Sequence, residues 1–222
     1  MKEAEKQMKL LAVNGSPRKN WNTATLLGKV CEGAASVGAE TDLVHLYDLD
    51  YKGCTSCFAC KTKGMPRKGR CAMRDGLTPL LDAAWAADAL VLGSPVYLGG
   101  MTGEMRSFFE RLVFPALVYS DPPRSLFPRR IPTAVLYTLG ATEEQSRQAG
   151  FETAMELSRM LLEMFLGKAE LLCSYDTLQF SDYSKMDAER FDPEAKAARR
   201  REVFPRDCDK AFELGRRLVS AP

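Results

Sequence analysis

Short continuous apolar runs alternate along this chain with stretches of helical period. "KLLAVN" (9–14) has the pattern of a strand buried on both faces. Leu26, Leu27, Val30, Cys31 and Ala34 then fall on one helical face. "ETDLVHLY" (40–47) predicts a second strand, "LTPLLDAAWAA" (77–87) a helix, and "ALVLGSPVY" (89–97) a third strand that runs into a Gly/Pro loop. Met105, Phe108, Phe109 and Leu112 mark the next helix, and "IPTAVLYTLG" (131–140) a fourth strand. In "TEEQ" (142–145), Thr142 and Gln145 have the spacing of a capping box. That box opens one helix carrying Phe151, Met155, Leu162 and Phe165 inward. "AELLCSY" (169–175) is a fifth strand, and two more helices follow, one capped by Asp192 with Pro193 in its first turn. Residues 48–76 show no periodicity, and no internal repeat appears.

Strands alternating with helices predict a parallel sheet covered on both faces, and five strands match a doubly wound domain of order 2-1-3-4-5. The whole chain, 1–222, reads as one such domain, with an irregular cysteine-rich loop at 48–76 and a helical C-terminal extension at 176–222. In these sheets ligands bind beyond the carboxyl ends of the strands, between strands one and three. Here that means the loops at 15–23 and 94–103.

Composition narrows the class. The 222 residues are 45% hydrophobic and 27% charged, those of an ordinary globular protein. A net charge of +2 gives no field that would gather nucleic acid or a membrane surface. "MKEAEKQMKLLAVNG" lacks an apolar stretch of signal-peptide length, so the expected location is the cytoplasm, where thiols stay reduced. A single histidine, His45, excludes any catalytic design that needs two. It alternates with apolar neighbours and reads as a sheet residue.

The two loops carry ligand-like chemistry. "NGSPRKNWNTATLL" matches neither a Walker A loop nor GxGxxG. It places Ser16, Arg18, Asn20, Asn22 and Thr23 around a helix N-terminus, which suits a terminal phosphate monoester. The plainer reading is a Ser/Asn-rich turn that caps a helix. "GSPVYLGGMTG" (93–103) offers Pro95 to restrain the backbone, Tyr97 as a stacking partner, and Gly99 and Gly100 to admit a planar ring. Its plainer reading is a turn with Thr102 as N-cap.

"GCTSCFACKTKGMPRKGRC" (53–71) holds four of the seven cysteines: Cys54, Cys57, Cys60 and Cys71. A disulfide knot, a zinc site, an iron–sulfur cluster and a chance group of thiols all fit that count. Reduced thiols argue against the knot, and zinc prefers two separated pairs. C-x2-C-x2-C is the spacing with which bacterial ferredoxins supply three ligands of a [4Fe–4S] cluster. Gly64, Pro66 and Gly69 would let the loop turn back. Lys61, Lys63, Arg67, Lys68, Arg70 and Arg74 surround the cysteines, either as a docking patch for an acidic carrier or as an ordinary solvated loop. Cys31, Cys173 and Cys208 read as packing residues.

Taken together, "GSPRKNWNT", "GSPVYLGGMTG" and the cysteine loop resemble the NAD(P)H-dependent FMN reductase and iron–sulfur flavoprotein branch of the flavodoxin-like proteins, over about residues 8 to 175. The resemblance implies a flavodoxin-like three-layer α/β/α sandwich that binds FMN. It puts the phosphate on Ser16, Arg18, Asn20, Asn22 and Thr23 and the ring against Pro95, Val96, Tyr97, Leu98 and Gly99. A third contact comes from Thr138 and Gly140. It also implies a [4Fe–4S] cluster on Cys54, Cys57, Cys60 and Cys71, although the gap from Cys60 to Cys71 is longer than is usual there. Trp21 stands where a small residue is common.

Such a protein would convert between two-electron and one-electron donors. NAD(P)H, a small acceptor or a ferredoxin would be its redox partner, while the near-neutral charge and the lack of a long apolar stretch argue for no nucleic acid and no membrane. "FFERLVFPALVY" (108–119), rich in exposed or interface aromatics, adds a homodimer or homotetramer. Alternatives are an NAD(P)H-dependent FMN or quinone reductase whose cysteines bind nothing, and a non-enzymatic flavodoxin-type carrier. "YDTLQFSDYSKMDAERFD" (175–192) reads as a cover for the flavin or a subunit contact. No general acid or base stands out.

Overall fold

The computed structural model describes residues 7–64 and 69–220. Pro66, Arg67 and Lys68, on which the turning loop and part of the basic patch were expected, lie outside the described residues. The strands in chain order are β1 (Lys9–Asn14), β2 (Glu40–His45), β3 (Ala89–Tyr97), β4 (Gly100–Met101), β5 (Leu117–Val118), β6 (Arg124–Ser125), β7 (Thr133–Thr138) and β8 (Ala169–Ser174). The helices are α1 (Asn22–Ala35), α2 (Thr78–Ala86), α3 (Gly103–Ala116), α4 (Glu143–Gln148), α5 (Phe151–Phe165), α6 (Pro193–Glu202) and α7 (Phe204–Ser220). The long strands run parallel in the order β2-β1-β3-β7-β8, which is the expected 2-1-3-4-5 order once the two-residue strands are set aside. Asn14 lies opposite His45 on one side and Gly93 on the other, so the loops leaving β1, β2 and β3 emerge side by side.

Side chains alternate across the sheet, as a period of two requires. Leu11, Val13, Leu90, Leu92, Val135 and Tyr137 face a core built with α2, α3 and α5. Leu10, Ala12, Val91, Ala134 and Leu136 face a second core with α1 and α7. The tail helix therefore closes the second face of the sandwich. It comes very close to α1: a Cβ on Gly33 would stand 1.9 Å from the Phe212 carbonyl oxygen, and one on Gly215 1.9 Å from that of Val30.

The capping box at Thr142 and Gln145 forms, and so does the Asp192 cap ahead of Pro193. The helix expected from Thr142 through Phe165 is instead two, because Gly150 takes a left-handed φ of 72° that interrupts the ladder. Phe108 and Phe109 are buried in the core of the single chain; of that stretch Tyr119 is exposed. Among the described residues no helix is long and apolar enough to cross a membrane.

Candidate functional site

The loop after β1 is held from beneath. Asn14 is fully buried, and its Oδ1 accepts from the Ser16 N–H at 3.0 Å. Its Nδ2 donates to Nδ1 of His45 at 2.8 Å, which places the His45 proton on Nε2. The Ser16 hydroxyl accepts from the Arg18 N–H at 3.1 Å. Thr102 joins this loop to the one after β3: its hydroxyl donates to the Gly15 carbonyl at 2.7 Å and accepts from the Met105 N–H at 3.2 Å. Thr102 is thus the N-cap of α3, as its position suggested. By contrast no side chain among the described residues caps α1, and its first turn holds no acidic residue. Its free N–H groups and positive dipole end stay available to an anion.

That helix end opens into a cleft of about 110 Å³. Ser16, Arg18, Asn22 and Thr23 line it from the first loop, Pro95, Val96 and Tyr97 from the third strand, and Thr138 and Gly140 from the fourth. The hydroxyls of Thr23 and Thr138 meet at 2.8 Å, so the first and third contacts form one wall. Asn20 is exposed on the surface and outside the cleft. Leu98 and Gly99, at φ of 50° and 86°, form the two-residue turn between β3 and β4. They do not line the cleft, and Leu98 projects entirely into solvent.

Thr177 and Gln179, which sequence reasoning did not single out, complete the lining. They belong to a strap between β8 and α6 that lies over the first loop. The Trp21 indole N–H donates to the Leu178 carbonyl at 3.0 Å, Asn22 Nδ2 donates to the same oxygen at 2.8 Å, and Arg18 donates to the Gln179 carbonyl. Lys196, buried on α6, anchors the strap from behind. Its ammonium donates to the Gly140 carbonyl at 2.6 Å, pairs with Asp176, and lies 4.9 Å from the Phe191 ring centroid. No pattern in the sequence marks Lys196, since a lysine in a charged helix reads as solvent-facing. Asn14 carried a weak signal, as the one amide ending an apolar strand.

The cysteine loop lies on the same edge of the sheet, between β2 and α2. Cys54, Cys57, Cys60 and Cys71 are all free thiols and line one shallow hollow with Phe58, Phe114 and Arg111. Ser56 and Phe58, the residues just before Cys57 and two before Cys60, take left-handed φ of 53° and 54°. That conformation is costly for phenylalanine, and it curls the run so that its thiols share one side. Burial pushes the Cys60 thiol up, Lys61 draws it down, and the other three cysteines act on it as near neighbours. Among the described residues no three His, Cys, Asp or Glu side chains converge enough to hold one metal ion. A single zinc asks for that convergence, with thiolates about 4 Å apart around it. A cubane binds each thiolate to a different iron.

Among the described residues of the basic patch, two of four are engaged within the fold. Lys61 is half-buried and caps α3, donating to the carbonyls of Phe114, Pro115 and Leu117. Arg70 pairs with Asp82 at 2.7 Å and lies over the Trp85 ring. Lys63 and Arg74 are exposed. Cys31 and Cys173 have thiols that burial pushes up to about 11, as suits packing residues.

Comparison with known proteins places this geometry. Residues 8–164 match the family model described as NADPH-dependent FMN reductase. An iron–sulfur flavoprotein from Methanocaldococcus jannaschii is 31% identical over 149 residues, covering 67% of this chain and 68% of that protein. An iron–sulfur flavoprotein from Archaeoglobus fulgidus is 39% identical over 104 residues, covering 47% of this chain and 48% of that protein, so the chain spans about half the length of that relative. Among solved structures, an NAD(P)H:quinone oxidoreductase from Methanothermobacter marburgensis superposes with a TM-score of 0.71 at 16% identity, covering 96% of this chain and 99% of that one, a likeness of fold. The chain is a flavodoxin-like α/β protein that belongs to the NADPH-dependent FMN reductase family, with iron–sulfur flavoproteins as its curated relatives.

Proposed function

We propose that the chain is an FMN-dependent oxidoreductase that exchanges electrons between a nicotinamide donor and a [4Fe–4S] cluster on Cys54, Cys57, Cys60 and Cys71. The observation that carries this reading is one edge of the sheet bearing both an uncapped helix N-terminus in a donor-lined cleft and a loop of four free thiols. The donors fit FMN: hydroxyls and amides of Ser16, Asn22 and Thr23 with Arg18 suit its phosphate, and the backbone from Pro95 to Tyr97 suits its ring. The donor set of the loop fits a cubane, with four thiols on one hollow and none in a disulfide. When bound, the flavin supplies hydride acceptance and the cluster one-electron transfer. The chain's own residues orient and shield: Thr23 and Thr138 fix the wall, and the strap at 177–179 covers the phosphate end.

A second copy of the chain is the proposed partner. Leu157, Met160 and Met164 are exposed on α5 beside an apolar groove of about 420 Å³ lined by Phe109, Val113, Leu161 and Phe165. A ferredoxin or a small acceptor would take the electrons, and the reduced thiols suit the cytoplasm. The family description supports a second reading, an FMN or quinone reductase whose cysteines stay empty.

Anaerobic NADPH oxidation, followed at 340 nm with free FMN or a quinone as acceptor, tests the enzyme. Turnover that depends on bound FMN is expected. No turnover with NADPH or NADH would leave a flavodoxin-type carrier.

A further inference from the structure

Beneath the cysteine loop lies a charge that neither the flavin cleft nor the packing of α3 requires. Arg111 is in the middle of α3 with its side chain wholly buried. A lone buried guanidinium is costly to desolvate, so its partners matter. Nη1 and Nη2 grip both oxygens of Asp75 at 2.6 and 3.0 Å, and Nη1 also donates to the Lys52 carbonyl at 2.8 Å. Lys52 precedes Cys54 and Asp75 follows Cys71, so one guanidinium ties the two ends of the loop together. Nε remains buried and has no hydrogen-bond partner among the described residues. Arg111 shares with Cys71 both of the hollows that flank that cysteine.

We propose that Arg111 is a positioning residue for the cysteine centre, directing its charge and its unused Nε–H at the Cys71 sulfur and raising the reduction potential of a cluster bound there. This rests on the cluster reading above. One-electron reduction makes and breaks no bond in the chain and adds one negative charge to the centre. Phe58, Phe114 and Pro115 give the hollow apolar walls, and the buried cation behind it favours the reduced form by charge. Asp75 offsets part of that charge, which makes the pair a tuning device with two opposed settings.

The test is an EPR-monitored redox titration, with dithionite as electron source, of the anaerobically reconstituted holoprotein and two variants. Arg111→Gln is expected to lower the equilibrium constant for reduction at least tenfold, about 59 mV for a one-electron couple. Asp75→Asn leaves the arginine in place, removes its counter-charge and is expected to shift the potential the opposite way. A residue that only clamped the loop would change iron content or melting temperature without these opposed shifts. If Arg111→Gln does not fold or load iron, the rise in Asp75→Asn alone decides. Wild type with iron and sulfide but no opposed shifts, or no rise in Asp75→Asn, overturns the role of Arg111 alone. Wild type without iron overturns the cluster reading and this role with it.

Discussion

The indole N–H of Trp21 reaches across the fold to the carbonyl of Leu178, 157 residues away in sequence, at 3.0 Å. Trp21 also occupies the N-cap position just before α1, so this bond fixes the strap directly over a helix end that its side chain leaves uncapped. The large side chain thereby couples the phosphate loop to the tail.

That coupling has a measurable consequence. A single neutral hydrogen bond contributes about 0.5–1.5 kcal/mol, so Trp21→Phe is expected to weaken FMN binding roughly two- to tenfold. Lys196→Met removes a buried charge from Asp176 and the Gly140 carbonyl and is expected to weaken it more. Fluorescence titration of the flavin-free protein with FMN reads both. Unchanged affinity in Lys196→Met would mean that the strap does not cover the ligand.

The wall between Thr23 and Thr138 makes a second test. Thr23→Val leaves the buried Thr138 hydroxyl without its partner, a penalty of about 1–3 kcal/mol, and removes one phosphate donor. Both the melting temperature of the flavin-free protein and the FMN affinity should fall. A loss of stability with intact affinity would assign Thr23 to the fold alone.

The tail helix is held by close backbone approach. Gly215→Ala puts a methyl group 1.9 Å from the Val30 carbonyl oxygen, which forces α1 and α7 apart and opens the second core. Partial loss of packing along that face is expected to cost about 2–5 kcal/mol, as large core deletions do. Chemical denaturation checks it; a change under about 0.5 kcal/mol, the size of an ordinary surface substitution, would contradict the packing described.

Acid should loosen the cysteine loop first. Burial raises the Asp75 pKa, but the Arg111 fork and the N–H groups of Leu77 and Lys52 lower it further, leaving it below the usual value. A depressed carboxyl contributes stability that is present above its unfolded pKa of about 3.9 and is lost as pH falls through the folded pKa. The gap in melting temperature between wild type and Asp75→Asn is therefore expected to be constant from about pH 7 to 5 and to close below about pH 4. A gap at pH 3 as wide as at pH 7 would mean that Asp75 acts by shape and not by charge.

Much of the architecture was legible because apolar period reports burial directly. The runs at 9–14, 89–97 and 169–175 became β1, β3 and β8, and the caps at Thr142 and Asp192 formed where their side chains dictate. The break at Gly150 escaped because hydrophobic period continues across it while a single φ does not show in composition. Of the cleft, the residues next to strand ends were readable, since topology fixes where strands end. Leu98 and Gly99 were not, because a turn needing positive φ also selects a glycine. Arg111 and Lys196 were invisible for a shared reason: their burial depends on partners, Asp75 and Asp176, that only the folded chain brings to them.

On the proposed reading, flavin and cluster share one edge of the sheet. An anaerobic absorbance spectrum of the purified protein, with iron and acid-labile sulfide assayed on the same sample, tests for both at once. The expected result is flavin bands on a broad brown shoulder, with about four irons and four sulfides per chain. Flavin bands alone, with no iron after anaerobic reconstitution, would contradict it and leave an FMN reductase whose four thiols await another explanation.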